Sequence, residues 1–204
     1  MSSSSKIVLC AFIKIGAEVV WLTYTLEDLA VVLGKLSSYG VKFVVIGDTV
    51  VQLALRIKLF TGDVDLFVYE PSPLVEEDFY REIVEKENWG ISTTELGTPR
   101  IIARVGEKEI IVELYENFMD IEIPEEILGQ ARTINVKGVK VRVLRPEHYF
   151  VLKARQGVDL DKLSEYYKKL GSLDKRLLEK SIEAFPEEEQ SLIRERLSSI
   201  GISF

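Results

Sequence analysis

Histidine and cysteine are almost missing from this chain: among 204 residues only Cys10 and His148 carry those side chains. One cysteine allows no internal disulfide, and a lone cysteine in an apolar strand reads as a small buried hydrophobe. Zinc centres built from Cys and His clusters are excluded, as are triads that need a second histidine. Hard oxygen ligands remain, which points to Mg²⁺ or Mn²⁺ for any bound metal. Long apolar runs are also lacking. No stretch of about 18 uncharged apolar residues exists, so no membrane span is expected. The apolar stretch 7–13 is short, Lys14 interrupts it and no small-x-small cleavage site follows. It reads as a first strand, and a cytoplasmic location is expected.

Positive charge is the next shortage. Lys and Arg number 26 against 33 Asp and Glu, giving a net charge of -7. That argues against a general nucleic-acid binder. The basic residues are uneven, however. Lys137, Lys140, Arg142, Arg145, Lys153 and Arg155 face Glu147 alone in their stretch. Two readings stand there, a solvated face and a positive wall for phosphates. Many Glu and Lys with few Asn and Gln lean toward a thermophilic source.

What is present suits a globular fold. Hydrophobic residues make up 47% and aromatic residues 9%, too apolar for disorder. The length fits one large domain or a domain with an appendage. Two β-rich runs, 6–15 and 17–24, flank Gly16 as a hairpin. Thr25-Leu26-Glu27-Asp28 reads as a helix start with an acidic first turn, and the helix stops near Gly40. Residues 42–46 form an apolar strand broken at Gly47. A second helix is expected over 50–59, then a strand over 64–68. A helix over 74–87 would bury Val75, Phe79, Ile83 and Val84. Hairpins follow around Gly106-Glu107-Lys108 and Lys137-Gly138. Pro124 opens a short helix, Pro146 a longer one to about 156, and three more helices follow. The pattern predicts a mixed α/β sheet flanked by helices, with a core over 1–145 and a helical segment over 146–204.

The chemistry concentrates in Thr61-Gly62-Asp63-Val64-Asp65. Strand side chains alternate, so Asp63 and Asp65 are expected on one face, their Cα atoms roughly 7 Å apart. Such a pair can share divalent ions, and two ions about 4 Å apart can clamp both ends of a phosphoryl displacement. Gly47 lets the backbone approach a ligand closely, and the helix after it would offer free N–H groups to an anion.

A strand ending in glycine, a helix, and then Asp-x-Asp on the next strand together resemble the nucleotidyltransferase superfamily, the fold of DNA polymerase beta. More narrowly, the chain is similar to small prokaryotic nucleotidyltransferases of the AbiEii type, whose toxins belong to toxin–antitoxin pairs. Thr61 matches the Thr two residues before the acids. Glu113 matches a third carboxylate on a later strand, with Glu116 and Asp120 as competitors. Arg145-Pro146-Glu147 and Lys153 match the helix start and lysine. The resemblance implies Mg²⁺ (or Mn²⁺) on Asp63, Asp65 and Glu113, with Glu113 helping to deprotonate the acceptor. It places Gly47, Asp48, Thr61 and Lys153 at the nucleotide, Lys153 as a point cation. It implies transfer of a nucleoside monophosphate from an NTP such as ATP to a hydroxyl acceptor on tRNA, protein or a small molecule. An antitoxin and a second copy of the chain are further expected partners. A chain that keeps the fold and binds nucleotide or protein without transfer is the alternative.

Asp48 stands where that superfamily carries Gly or Ser. A carboxylate 4–5 Å from a triphosphate costs about 3–4 kcal/mol at an effective dielectric near 20. Asp48 is therefore read either as a helix N-cap or as a nucleotide-site residue that meets a metal or turns away.

Overall fold

The structure, a computed structural model, describes residues 14–15, 18–19, 23–117 and 122–204. Cys10, Asp120 and most of the run over 6–15 lie outside those residues. The first half comprises β1 (Lys14–Ile15), β2 (Glu18–Val19), β3 (Thr23–Tyr24), α1 (Leu26–Ser38), β4 (Lys42–Val45), α2 (Asp48–Ala54), β5 (Phe60–Thr61), β6 (Val64–Glu70) and α3 (Glu77–Glu87). The second comprises β7 (Gly90–Thr93), β8 (Pro99–Val105), β9 (Lys108–Tyr115), α4 (Glu125–Gly129), β10 (Arg132–Val136) and β11 (Val139–Val143). Helices α5 (Pro146–Gln156), α6 (Leu160–Leu170), α7 (Lys175–Ile182) and α8 (Glu187–Ser199) close the chain.

Among the described residues the main sheet has the order β10-β11-β4-β6-β9-β8-β7. Strand β4 runs parallel to β11, and β6 runs parallel to β9. The expected mixed α/β architecture is what the chain adopts. Phe43, Val44 and Val45 on β4 are all buried, as the apolar run requires of a strand covered on both faces. Helix α1 contacts β8, β10 and β11, and α3 contacts β7 and β8. Helix α5 is the hub of the terminal helices, touching α6, α7 and α8, and it meets α2. No helix among the described residues is long and apolar enough to cross a membrane.

Local chemistry explains the boundaries. Thr25 caps α1: its hydroxyl accepts the Asp28 N–H at 3.2 Å, and the Asp28 carboxylate accepts the Thr25 N–H at 2.8 Å. This reciprocal box is a strong start signal. Helix α2 runs over 48–54, not 50–59. Arg56 turns to φ 53, and the Gln52 side chain holds Thr61 through its N–H at 3.0 Å and its carbonyl at 2.9 Å. Those bonds draw the chain into β5. Val75 is 82% exposed and precedes α3, so it leaves the stripe that Ile83 and Val84 still form. Strand β7 follows Trp89 where the sequence had suggested only a helix end. It pairs with β8 from Gly90 opposite Ile102 to Thr93 opposite Pro99.

His148 shows what packing does to a lone titratable group. It is fully buried on α5, where Nδ1 accepts the Arg145 N–H at 3.3 Å and Nε2 has no hydrogen-bond partner among the described residues. Burial, with the Arg145 charge behind it, pulls its pKa down to about 4. The unfolded chain takes up that proton near pH 6.5, before the folded one does. The neutral ring therefore contributes stability above pH 6.5, and that stability is lost as pH falls toward 4. Urea unfolding from pH 7 to pH 4.5 should show a loss of about 2 kcal/mol that His148→Gln largely removes. An unchanged acid slope in the variant would assign the loss to other groups.

Candidate functional site

The site grows from the end of β4. After Val45, the Ile46 N–H donates to the Asp65 carbonyl at 2.9 Å, which ties the bend to β6. Gly47 then adopts φ 63, ψ -159, a region reserved in practice for glycine. A Cβ on Gly47 would lie 1.8 Å from Asp65 Oδ2 and 2.7 Å from its Cγ. Two independent constraints therefore fix this residue. One is the backbone angle, and the other is an acid carboxylate pressed against the bend.

Asp65 pairs in register with Glu113 across the parallel β6–β9 ladder, and Glu113 pairs with Arg100 across β9–β8. Registered neighbours present side chains to one face, so Asp65, Glu113 and Arg100 share a side of the sheet. Asp63 precedes the first residue of β6. Burial and then the Glu113 charge push the Asp65 pKa up to about 8. The same causes, in the same order, push Asp63 up to about 6, while Arg100 and Lys162 pull it back. Such acids hold their protons until an opposing positive charge arrives, and every donor they offer is a hard oxygen.

Glu113 is committed elsewhere. Arg100 Nε donates to its Oε1 at 2.8 Å, a second guanidinium nitrogen bonds the same oxygen, and the Tyr115 hydroxyl donates to Oε2. Among the described residues no three His, Cys, Asp or Glu side chains converge closely enough to hold a metal ion. Of the expected triad, Asp65 and Glu113 thus share a face, Glu113 is drawn toward Arg100, and Asp63 lies just before the strand.

A cleft of ≈ 460 Å³ opens beside the bend, lined by Gly47, Asp65, Tyr115, Tyr149 and Lys153 among others. Lys153 pulls the Asp65 pKa back down and also bonds Asp159 at 3.3 Å. Of the remaining candidates, Asp63, Asp48, Thr61 and Glu113 do not line this cleft. Thr61 sits exposed at the end of β5, tied through its backbone to Gln52. Asp48 is not an N-cap: Gly47 holds that position, and Asp48 is the first residue of α2. Its Oδ1 accepts from the Tyr149 hydroxyl and its Oδ2 from Lys162 Nζ.

The basic run does not form a phosphate wall. Lys137 pairs with Glu27, Arg145 with Glu147 and Asp174, and Arg155 with Glu122 and Glu189. Arg142 donates to the Leu128 carbonyl at 2.8 Å and lies over the Tyr69 ring. Only Lys153 and Arg155 of that run reach the cleft. Sequence reasoning missed Arg100, Tyr115, Tyr149 and Lys162. For Arg100 a signal existed: hairpin register around the Gly106 turn sets it opposite Glu113. For Tyr149 and Lys162 none did, since their partner Asp48 lies about a hundred residues away in the chain.

A family profile described as "Nucleotidyl transferase of unknown function (DUF2204)" matches residues 25–199. Among solved structures, an antigenic nucleotidyltransferase-like protein from Paracoccidioides brasiliensis superposes with a TM-score of 0.58 at 17% identity, covering 88% of this chain and 91% of that one. ANT(2")-Ia in complex with adenylyl-2"-tobramycin matches with a TM-score of 0.49 at 16% identity, over 84% of this chain and 97% of that one. No curated protein matches the chain. The first of these likenesses shows a shared fold.

Proposed function

Because the chain belongs to the DUF2204 nucleotidyl transferase family, we propose that it transfers a nucleoside monophosphate from an NTP to a hydroxyl acceptor at the Gly47–Asp65 cleft. The observation that carries the reading is the contact between the glycine bend and an acid that resists ionisation. The bend has no side chain to block a polyphosphate, and Asp65 sits directly beside it. Asp63 and Asp65 are the residues that would hold Mg²⁺ or Mn²⁺, which would supply charge neutralisation for the phosphates and the leaving pyrophosphate.

The chain's own residues do the rest. Lys153 faces Asp65 across the cleft and offsets phosphate charge. Tyr115 and Tyr149 wall the cleft and exclude water from the reacting centre. Glu113, which shares a face of the sheet with Asp65, would take the acceptor proton once released by Arg100 and Tyr115. The division into a core over 1–145 and a helical segment over 146–204 belongs to the same proposal, with α5 carrying Lys153 and Tyr149 to the cleft. So do the closer likeness to AbiEii-type enzymes, an antitoxin partner, a cytoplasmic location and the candidate acceptors.

The grip of Arg100 and Tyr115 on Glu113 favours one second reading, a module that binds nucleotide without transfer. A single experiment covers both. Equilibrium binding of labelled NTPs is measured with and without Mg²⁺, and pyrophosphate release is followed in parallel. Metal-dependent binding that Asp63→Ala and Asp65→Ala each weaken at least tenfold supports the nucleotide site. Pyrophosphate release then marks the enzyme, and its lack across candidate acceptors marks the binding module. Binding that ignores both metal and substitutions contradicts the site altogether.

A further inference from the structure

Asp48 poses an electrostatic problem that the fold answers from a distance. It directly follows the Gly47 bend, and its charge acts on both Asp63 and Asp65. Unopposed, it would weaken polyphosphate binding roughly a hundredfold. The opposing charge comes from Lys162 on α6, which lies 114 residues further along the chain. Lys162 Nζ bonds Asp48 Oδ2 while the Tyr149 hydroxyl from α5 bonds Oδ1. Both carboxylate oxygens therefore point toward the helical segment. The ammonium also acts on Asp63 and lies 5.9 Å from the centre of the Tyr166 ring, which limits its freedom. The Lys162 side chain is 45% exposed, so its ammonium reaches solvent rather than being sealed in the core.

We propose that Lys162 is a specificity-determining residue of the nucleotide site: its pairing with Asp48 cancels the charge that would otherwise bar a polyphosphate from the Gly47 bend. This inference rests on the nucleotide reading above. It makes the helical segment a required part of the site.

The test is calorimetric titration of ATP, GTP, CTP and UTP with Mg²⁺, using the tightest binder throughout, with a thermal melt on each variant. Lys162→Met is expected to weaken binding about thirtyfold, less than the unscreened figure because the pair is partly exposed. The double variant Lys162→Met with Asp48→Asn is expected to return to within about tenfold of wild type. Asp48→Asn alone should bind at least as tightly as wild type, and Lys162→Arg should stay within about threefold. A clasp with only a structural role would lose affinity in the single and the double variant alike. Lys162→Met within threefold of wild type, a double variant as weak as the single, or Asp48→Asn weaker than wild type each overturns the proposal. Should Lys162→Met not fold, the Asp48→Asn result decides alone. If wild type binds none of the four, or binds them regardless of Asp65→Asn, the nucleotide reading itself fails and takes this inference with it.

Discussion

Asp65→Asn is expected to yield a protein that is more stable and no longer active. Burial and the neighbouring Glu113 charge hold the Asp65 pKa at about 8, far above the unfolded carboxylate range. The sign follows from proton binding. Between about pH 4 and pH 8 the folded chain keeps a proton that the unfolded chain has released, so stability falls as pH rises through that window. The neutral amide does not titrate and escapes the loss. After discounting for relaxation and for coupling among the acids, the gain at pH 8 should be about 2 kcal/mol. Chemical unfolding at pH 5 and pH 8 reads it directly. The variant's advantage should be larger at pH 8 and shrink toward pH 5. Wild type should also regain stability with Mg²⁺, and the variant much less so. Removing the carboxylate should lower turnover by 10³-fold or more, because an electrostatic group at the reacting centre is worth several kcal/mol. A variant less stable than wild type at pH 8 would mean that Asp65 serves the fold rather than a ligand.

Gly47→Ala carries the second large effect. The substitution meets a backbone angle that L residues avoid and a carboxylate oxygen 1.8 Å from the new methyl. The angle alone costs about 1–3 kcal/mol. Relieving the overlap requires shifting Asp65 or opening the Ile46–Asp65 backbone bond. A total destabilisation of about 3–5 kcal/mol is expected, with loss of nucleotide binding in whatever fraction remains folded. Pairing it with Asp65→Gly, which removes the obstructing side chain, should recover the overlap part of the stability but none of the nucleotide binding. Gly62→Ala is the control: its φ is also positive, but no atom lies within 4 Å of a Cβ there. It should cost only the backbone part.

Elements governed by local chemistry were legible in the sequence. The Thr25 cap, the β8–β9 and β10–β11 hairpins, and the Pro146 helix start all depend on residues within a few positions of one another. So did the glycine bend and the strand that carries Asp65, which begins one residue after Asp63. What was not legible depends on contacts between distant segments. The early end of α2 comes from Gln52 reaching Thr61, and the exposure of Val75 from where the chain enters α3. The basic run failed as a phosphate wall because acids from elsewhere, Glu27, Glu189 and Asp174, consume its charge. The N-cap role read for Asp48 fails because Gly47 takes that position, and its carboxylate instead meets Tyr149 and Lys162. Its partners, Tyr149 and Lys162, belong to helices that only tertiary packing brings to the bend. Glu113 sits on the expected face, yet Arg100 and Tyr115 occupy both its oxygens, and register alone does not announce such a competition.

The central claim is that Asp63 and Asp65 hold a cation where the Gly47 bend receives polyphosphate. The most direct measurement is a crystal structure with a non-hydrolysable NTP and Mn²⁺, located by its anomalous signal. The claim predicts Mn²⁺ on carboxylate oxygens of Asp63 and Asp65, with phosphates against the Gly47 backbone and Lys153 alongside. Nucleotide bound elsewhere, or phosphates at the bend with both acids free of metal, would contradict it.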